Sequence, residues 1–163
     1  MLDKEAIDQE DLELARDKVR WGRARKSMVL DEKEKETTAY HEAGHALAMS
    51  LLEDATPLHK VSIIPQGPTL GATYQLPEKD MVSIRRKWAM SEIQVFFAGR
   101  IAEELFCDDI SSGAAQDFQQ ATDMARAMVC DWGMSEKLGP VRYSSDESGG
   151  WEAMRKEYSE KTA

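Results

Sequence analysis

Thr37-Thr38-Ala39-Tyr40-His41-Glu42-Ala43-Gly44-His45-Ala46-Leu47 is the stretch whose reading decides the fold. At its centre is the pattern HExxH. On a helix, His41 and His45 stand one turn apart on one face, with Cβ atoms roughly 5–6 Å from each other. Two imidazoles so placed can grip one divalent metal ion, and Glu42 lies beside them, where a general base is needed. The bare pattern is short and recurs by chance, so its flanks carry weight. Tyr40, Ala43, Gly44, Ala46 and Leu47 are uncharged, which suits a helix buried around a metal. Gly44 costs a helix roughly 1 kcal/mol relative to alanine, so something is expected to approach the backbone closely there. The plain alternative is a core helix with two satisfied histidines; the flanks favour the metal.

Outward from the motif, Asp31-Glu32-Lys33-Glu34 has the form of a capping box. It predicts a helix over about 32–53, with Leu47, Ala48, Leu51 and Leu52 on the inner face and Asp54 and Pro57 ending it. Val61-Ser62-Ile63-Ile64-Pro65 and Gly71-Ala72-Thr73-Tyr74-Gln75-Leu76-Pro77 read as short strands joined by a loop over 66–70. Pro65 and Pro77 confine them to short or edge positions. A strand edge beside a metal-carrying helix can accept an extended peptide as a further strand; otherwise it is a small sheet covering the core. From Ser83 as cap, Ile84, Trp88, Ile93, Phe96, Phe97, Ile101 and Leu105 predict a helix to about Phe106. Ala98-Gly99 near its middle predicts a tight helix contact. After a polar loop over 107–113, a last helix spans about 115–132, with Ala121, Met124, Ala125, Met128 and Val129 inward and Gly133 as the stop.

The flanking segments are polar. Residues 3–30 are rich in charge, acids before bases, so a helix over roughly 8–20 complements its own dipole. Ile7, Leu12, Leu14, Ala15 and Val19 give it a thin apolar stripe, which marks a solvated connector. Residues 144–163 lose periodicity and read as linker or frayed terminus. The architecture expected is α+β: mainly helical, with a small sheet beside the HExxH helix.

At 163 residues the chain is long enough for one domain with a core. A net charge of −9 argues against nucleic acid as a partner, since phosphate binding needs clustered Lys and Arg. The basic cluster within 20–26 is short and follows an acidic run. Cys107 and Cys130 form no CxxC, so neither a disulfide framework nor a thiol metal site follows, and a reducing compartment is the default. No apolar run is long enough to span a membrane, and no signal peptide opens the chain. Met1-Leu2-Asp3-Lys4-Glu5 reads as the middle of a longer protein.

A catalytic zinc takes three protein ligands and keeps a fourth position for water. Leu51 stands where a metzincin carries its third histidine, which excludes that class. His59 opens a strand after a helix end and reads as a surface or strand-edge residue. Glu104-Leu105-Phe106-Cys107-Asp108 has the ExxxD spacing of gluzincin helices, and Glu103 stands next to it. Asp117 shares the inward stripe of Ala121, Met124 and Met128, a costly place for an acid that is neither paired nor metal-bound. It also suits the first turn of its helix. From the residues alone, these acids stay open as alternatives.

Further motifs bear on the choice. They are Arg25-Lys26-Ser27-Met28-Val29, the HExxH stretch itself, and His59-Lys60-Val61-Ser62-Ile63-Ile64-Pro65. Gly99-Arg100-Ile101-Ala102-Glu103-Glu104, Ser112-Gly113-Ala114-Ala115-Gln116-Asp117 and Trp132-Gly133-Met134-Ser135-Glu136-Lys137-Leu138-Gly139-Pro140 follow. Over about 11–143 the chain resembles the protease part of the FtsH-type AAA+ metalloproteases. The resemblance implies a zincin-type domain with one zinc held by His41, His45 and Asp117, and Glu42 as the catalytic base. Glu103 then sits just outside the ligands. Gly71, Ala72, Thr73 and Tyr74 are expected to hold an extended substrate.

It also implies an endopeptidase acting on unfolded and membrane polypeptides, a homo-hexamer in the full-length protein, and a place at the cytoplasmic face of a bacterial or organellar membrane. ATP and Mg2+ enter only through an ATPase module, whose phosphate-binding loop this sequence lacks, and membrane contact only through segments outside it. Residues 1–30 are then a connector from that module, 31–143 the peptidase domain and 144–163 a flexible tail; the family's domain continues with further helices. The competing reading is an inactive module serving assembly or structural zinc binding. Glu42 speaks against it, since a structural site needs no base and is closed by four protein ligands.

Overall fold

The computed structural model describes residues 6–22, 30–65, 70–77 and 81–143. What was expected of residues 23–29, 66–69 and 144–163 lies outside the described residues. Helix α1 (Gln9–Trp21) opens on Asp8, which accepts from the Asp11 N–H while the Asp11 side chain accepts from the Asp8 N–H. Helix α2 (Glu32–Leu51) carries the HExxH motif and is capped by Asp31, whose carboxylate accepts from the Glu34 N–H at 2.8 Å. Helix α3 (Arg86–Phe106) follows the sheet. A 3-10 turn (Ser112–Ala114) then leads straight into α4 (Ala115–Arg126).

Several expected boundaries move. Ser83 is not the cap of α3, since Arg85 takes that position without a side-chain bond. The last helix is regular only to Arg126 and continues as a π turn over Ala127–Asp131. Gly133, at φ +59°, closes it, with the Met134 N–H on the Met128 carbonyl at 2.8 Å. Strands β1 (Leu58–Ser62) and β2 (Ala72–Gln75) pair antiparallel, Val61 opposite Thr73 and Ser62 opposite Ala72. β1 thus starts before the expected residue 61 and leaves Ile63 and Ile64 outside it. The register shifts between Leu58 and Lys60, so His59 sits at a bulge.

Helices α2 and α3 run antiparallel, His41 lying against Glu103 and His45 against Val95. They touch backbone to backbone. A Cβ on Gly44 would strike the Ala98 carbonyl and come within 2.8 Å of the Ala102 Cβ. Small residues fill this layer, with Ala89, Ala102, Ala114 and Ala121 buried beside Val95, Met49, Tyr74 and Met128. α4 packs on α3, and the sheet packs on α2.

Such close packing leaves no room for long apolar side chains, and the inward assignments of several are corrected. Leu47, Leu51 and Val129 face outward, Leu51 at 75% exposure, and on α3 Phe97, Ile101 and Leu105 are exposed as well. Ala125 is exposed too. Polar groups hold the inner faces instead: Glu42 and His45 on α2, Glu92 and Glu103 on α3. At the edge of the layer, Tyr40 and Phe106 stack with ring centroids 5.3 Å apart.

Two buried acids act as ties. Glu92, 2% exposed, accepts from the Thr56 N–H at 2.9 Å, the Thr56 hydroxyl at 2.8 Å and the Gln75 amide at 3.0 Å. It thereby fastens the turn before β1 and the end of β2 to α3. Asp17 is buried in turn and accepts from Lys60 Nζ at 2.5 Å, while its neighbour Arg16 reaches His59 Nε2 at 2.7 Å. So α1 is not merely solvated: charged groups dock it on β1, with Leu12, Leu14 and Val19 left exposed. Among the described residues, no helix is long and apolar enough to cross a membrane.

Candidate metal centre

The helical spacing of α2 puts both imidazoles on the side facing α3, and the turn at Ser112–Ala114 swings Asp117 in from the start of α4. His41 Nε2 and His45 Nε2 lie 3.0 Å apart. Asp117 Oδ2 is 3.2 Å from the first and 3.5 Å from the second. Behind the rings, His41 Nδ1 meets Glu103 Oε1 and His45 Nδ1 meets the Val95 carbonyl, each at 2.7 Å. Both of those partners are acceptors, so each Nδ1 carries a proton and each ring turns its Nε2 toward the centre. Two nitrogen lone pairs and a carboxylate oxygen converging on one point repel unless a cation lies between them.

A divalent ion fits that arrangement. Tetrahedral coordination with bonds of about 2.0–2.1 Å sets ligand atoms about 3.3 Å apart. The three separations here are 3.0, 3.2 and 3.5 Å. This is the one group of His, Cys, Asp and Glu able to hold a metal ion among the described residues. Glu103, Glu104, Asp108 and His59 are not in it. Gly99 makes room for the rings. A Cβ at that position would sit 2.6 Å from His41 Cε1 and from His45 Nε2, and 2.7 Å from His41 Nε2.

Glu42 stands next to the group without joining it. The Thr73 hydroxyl donates to Glu42 Oε2 at 2.5 Å, and Gly71 backs onto the same side chain so closely that a Cβ there would be 2.9 Å from Oε1. Burial lifts the Glu42 carboxyl above its ordinary 4.5, against the opposing pull of Thr73 and the two histidines. Gly71, Ala72, Thr73 and Tyr74 line the same cleft of about 700 Å³ as the metal group. Tyr74 itself is only 3% exposed, so little of its side chain faces the cleft. Among the described strands, β2 pairs with β1 alone.

Sequence reasoning cast Thr73 only as a substrate residue and missed its bond to Glu42, because side-chain direction depends on sheet register. It also passed over Ser111 beside Glu103, although a serine before Ser112-Gly113 and a helix is a capping signal.

The charges set a pH dependence for the metal-free protein. Burial disfavours charge on His41, but Asp117 and then Glu103 outweigh it and raise its pKa above the ordinary 6.5. Burial likewise opposes the ionised Asp117, yet His41 and His45 hold its carboxyl at about 2, below the usual 3.8. The His41 contribution is complete below 6.5 and lost as pH rises through its raised value; the Asp117 contribution is complete above 3.8 and lost as pH falls toward 2. Buried Glu42 adds a cost as it ionises at rising pH. In EDTA, the protein is therefore expected to melt lower at about pH 8 than at about pH 5. A metal that takes the place of the His41 proton removes that alkaline loss, and reverses the order. Melting curves by circular dichroism, with EDTA and with metal, check both signs.

A histidine pair on one helix, a carboxylate from a distant one and a held acid beside an open cleft are the marks of the HExxH metallopeptidases. The chain belongs to peptidase family M41, whose model matches residues 28–163. It is an FtsH-type peptidase domain, a hydrolase of the metalloprotease class. The ATP-dependent zinc metalloprotease FtsH 2 of Methylacidiphilum infernorum is 57% identical over 145 residues, covering 89% of this chain and 23% of that protein. The ATP-dependent zinc metalloprotease FtsH of Myxococcus xanthus is 50% identical over 164 residues, covering 98% and 26%. The corresponding protein of Photobacterium profundum is 51% identical over 146 residues, covering 88% and 21%. The chain thus spans about a quarter of the length of these curated relatives.

Proposed function

We propose that this chain is the zinc endopeptidase domain of an ATP-dependent, membrane-associated protease. The observation that carries the reading is the convergence of His41 Nε2, His45 Nε2 and Asp117 Oδ2, with Glu42 held beside them and outside the group. These three residues would hold a divalent ion. Zinc bound there supplies a Lewis acid that acidifies water and polarises the scissile carbonyl. Glu42 takes the proton of the attacking water and delivers it to the leaving amine. Its raised carboxyl pKa suits both halves of that transfer. Glu103 fixes the orientation of His41, and the Val95 carbonyl fixes that of His45. The segment from Gly71 to Tyr74, which lines the same cleft as the metal group, receives the substrate as an extended strand.

In this reading residues 1–30 connect to an ATPase module, residues 31–143 form the peptidase domain and residues 144–163 a tail. ATP and Mg2+ act through that module in a homo-hexamer at the cytoplasmic face of a membrane, and the substrates are unfolded and membrane polypeptides. The names of the relatives support ATP dependence and zinc. Elemental analysis should find one zinc per chain, and the zinc-loaded protein should cleave an unfolded polypeptide that the EDTA-treated protein leaves intact. A fourth protein ligand at the metal, seen by X-ray absorption, would overturn the enzyme reading in favour of structural zinc.

A further inference from the structure

Glu103 is 1% exposed, and both of its oxygens are used. Oε1 accepts from His41 Nδ1 at 2.7 Å and from the Ser111 hydroxyl at 3.3 Å; Oε2 accepts from the Ser111 N–H at 2.9 Å. Ser111 is itself the cap of the turn that leads into α4, its Oγ accepting from the Gly113 N–H at 3.0 Å. One buried carboxylate therefore touches a ligand on α2 and also the turn that delivers the ligand on α4. The chain between them has little else to hold it. Residues 108–113 are exposed, and the next buried position is Ala114.

We propose that Glu103 and Ser111 form a cross-brace between His41 and Asp117, so that metal binding and ordering of residues 107–114 are a single event. Ser111 is then a positioning residue for Asp117, acting through Glu103 and the cap. A metal that pulls Asp117 inward draws the turn onto Ser111, and Ser111 closes on the carboxylate that orients His41. Loss of either partner loosens both ends. The inference rests on the metal site proposed above and extends it to residues that never touch the ion.

Zinc affinity, measured by competition with a chromophoric chelator, tests it without reference to peptidase activity. Glu103→Gln offers one acceptor oxygen in place of two and cannot serve both sides, so a loss of about 10–100-fold is expected. Ser111→Ala keeps its N–H bond and should lose about five- to tenfold, while Ser111→Thr, which keeps the hydroxyl, should stay within about twofold of the parent. The double variant should be no more than about threefold worse than Glu103→Gln alone, because the two act as one unit. Losses that simply multiply would overturn the brace. Hydrogen exchange on the unaltered protein gives a second measurement, independent of how the variants fold. Zinc should slow the Ser111 and Gly113 amides at least about tenfold, and unchanged exchange there on zinc loading would overturn the proposal. An unaltered chain that takes up no zinc would instead defeat the metal reading itself.

Discussion

Glu42→Gln is expected to leave one zinc per chain and to lower peptide cleavage by at least about a thousandfold, within the range that general acid–base groups contribute. The substitution keeps volume and shape, and the amide oxygen can still accept from Thr73, which donates to Oε2 at 2.5 Å. Nothing in the metal group changes, because its members are His41, His45 and Asp117. What is lost is the ability to take up and return a proton. The buried position sharpens the effect, since at 7% exposure bulk solvent offers little substitute at that point. Elemental analysis paired with a cleavage assay on an unfolded polypeptide separates the two readouts. Zinc retained with cleavage intact would remove Glu42 from the mechanism; zinc lost along with cleavage would make it a metal-site residue instead.

Gly99→Ala is expected to lower zinc affinity by at least about a hundredfold while lowering the melting temperature of the metal-free protein by several degrees at most, the shift that about 2 kcal/mol produces. In most helices the exchange would stabilise by roughly 1 kcal/mol. Here the new methyl lands 2.6 Å from His45 Nε2 and 2.7 Å from His41 Nε2, closer than carbon and nitrogen can approach. The rings cannot swing aside without breaking the Nδ1 bonds to Glu103 and Val95. α3 could recede only by opening the main-chain contact between Gly44 and Ala98. Overpacking costs of about 1–3 kcal/mol against a helical gain of about 1 kcal/mol leave a net loss of up to about 2 kcal/mol, so the fold weakens modestly while ligand geometry takes the larger damage. Chelator competition and thermal melts on the metal-free form measure the two independently. An affinity within about threefold of the parent would show that the methyl is absorbed elsewhere.

The local part of this site was legible in the sequence, and the long-range part was not. His41, Glu42 and His45 share one turn, so helical periodicity alone places them together. Gly44 and Gly99 could be read as close approaches, because glycine inside a helix is a cost that needs a reason. Asp117 lies on another helix, and periodicity does not say which of several acids a chain brings back to its histidines. Only the resemblance of the segment from Ser112 to Asp117 separated it from Glu103 and Glu104. The hydrophobic pattern misled over Leu47, Leu51 and Val129, since it assumes that bulk goes inside. Here the helices approach through glycine and alanine, and the remaining inner positions go to acids and histidines. Glu92 gave no signal at all. An acid in a helix reads as solvated until the Thr56 and Gln75 partners are seen around it.

The side of β2 that faces away from β1 also bears on which polypeptides the domain would read in the function proposed here. A strand seated there would be gripped by its amides and carbonyls, so amino-acid identity would matter less than whether those groups are uncommitted. A folded protein has already spent them on its own helices and sheets and offers nothing for the rim to hold. In the function proposed here, discrimination between native and unravelled chains therefore needs no dedicated recognition element: it follows from hydrogen-bond vacancy, and the labour left to an upstream motor is to create that vacancy.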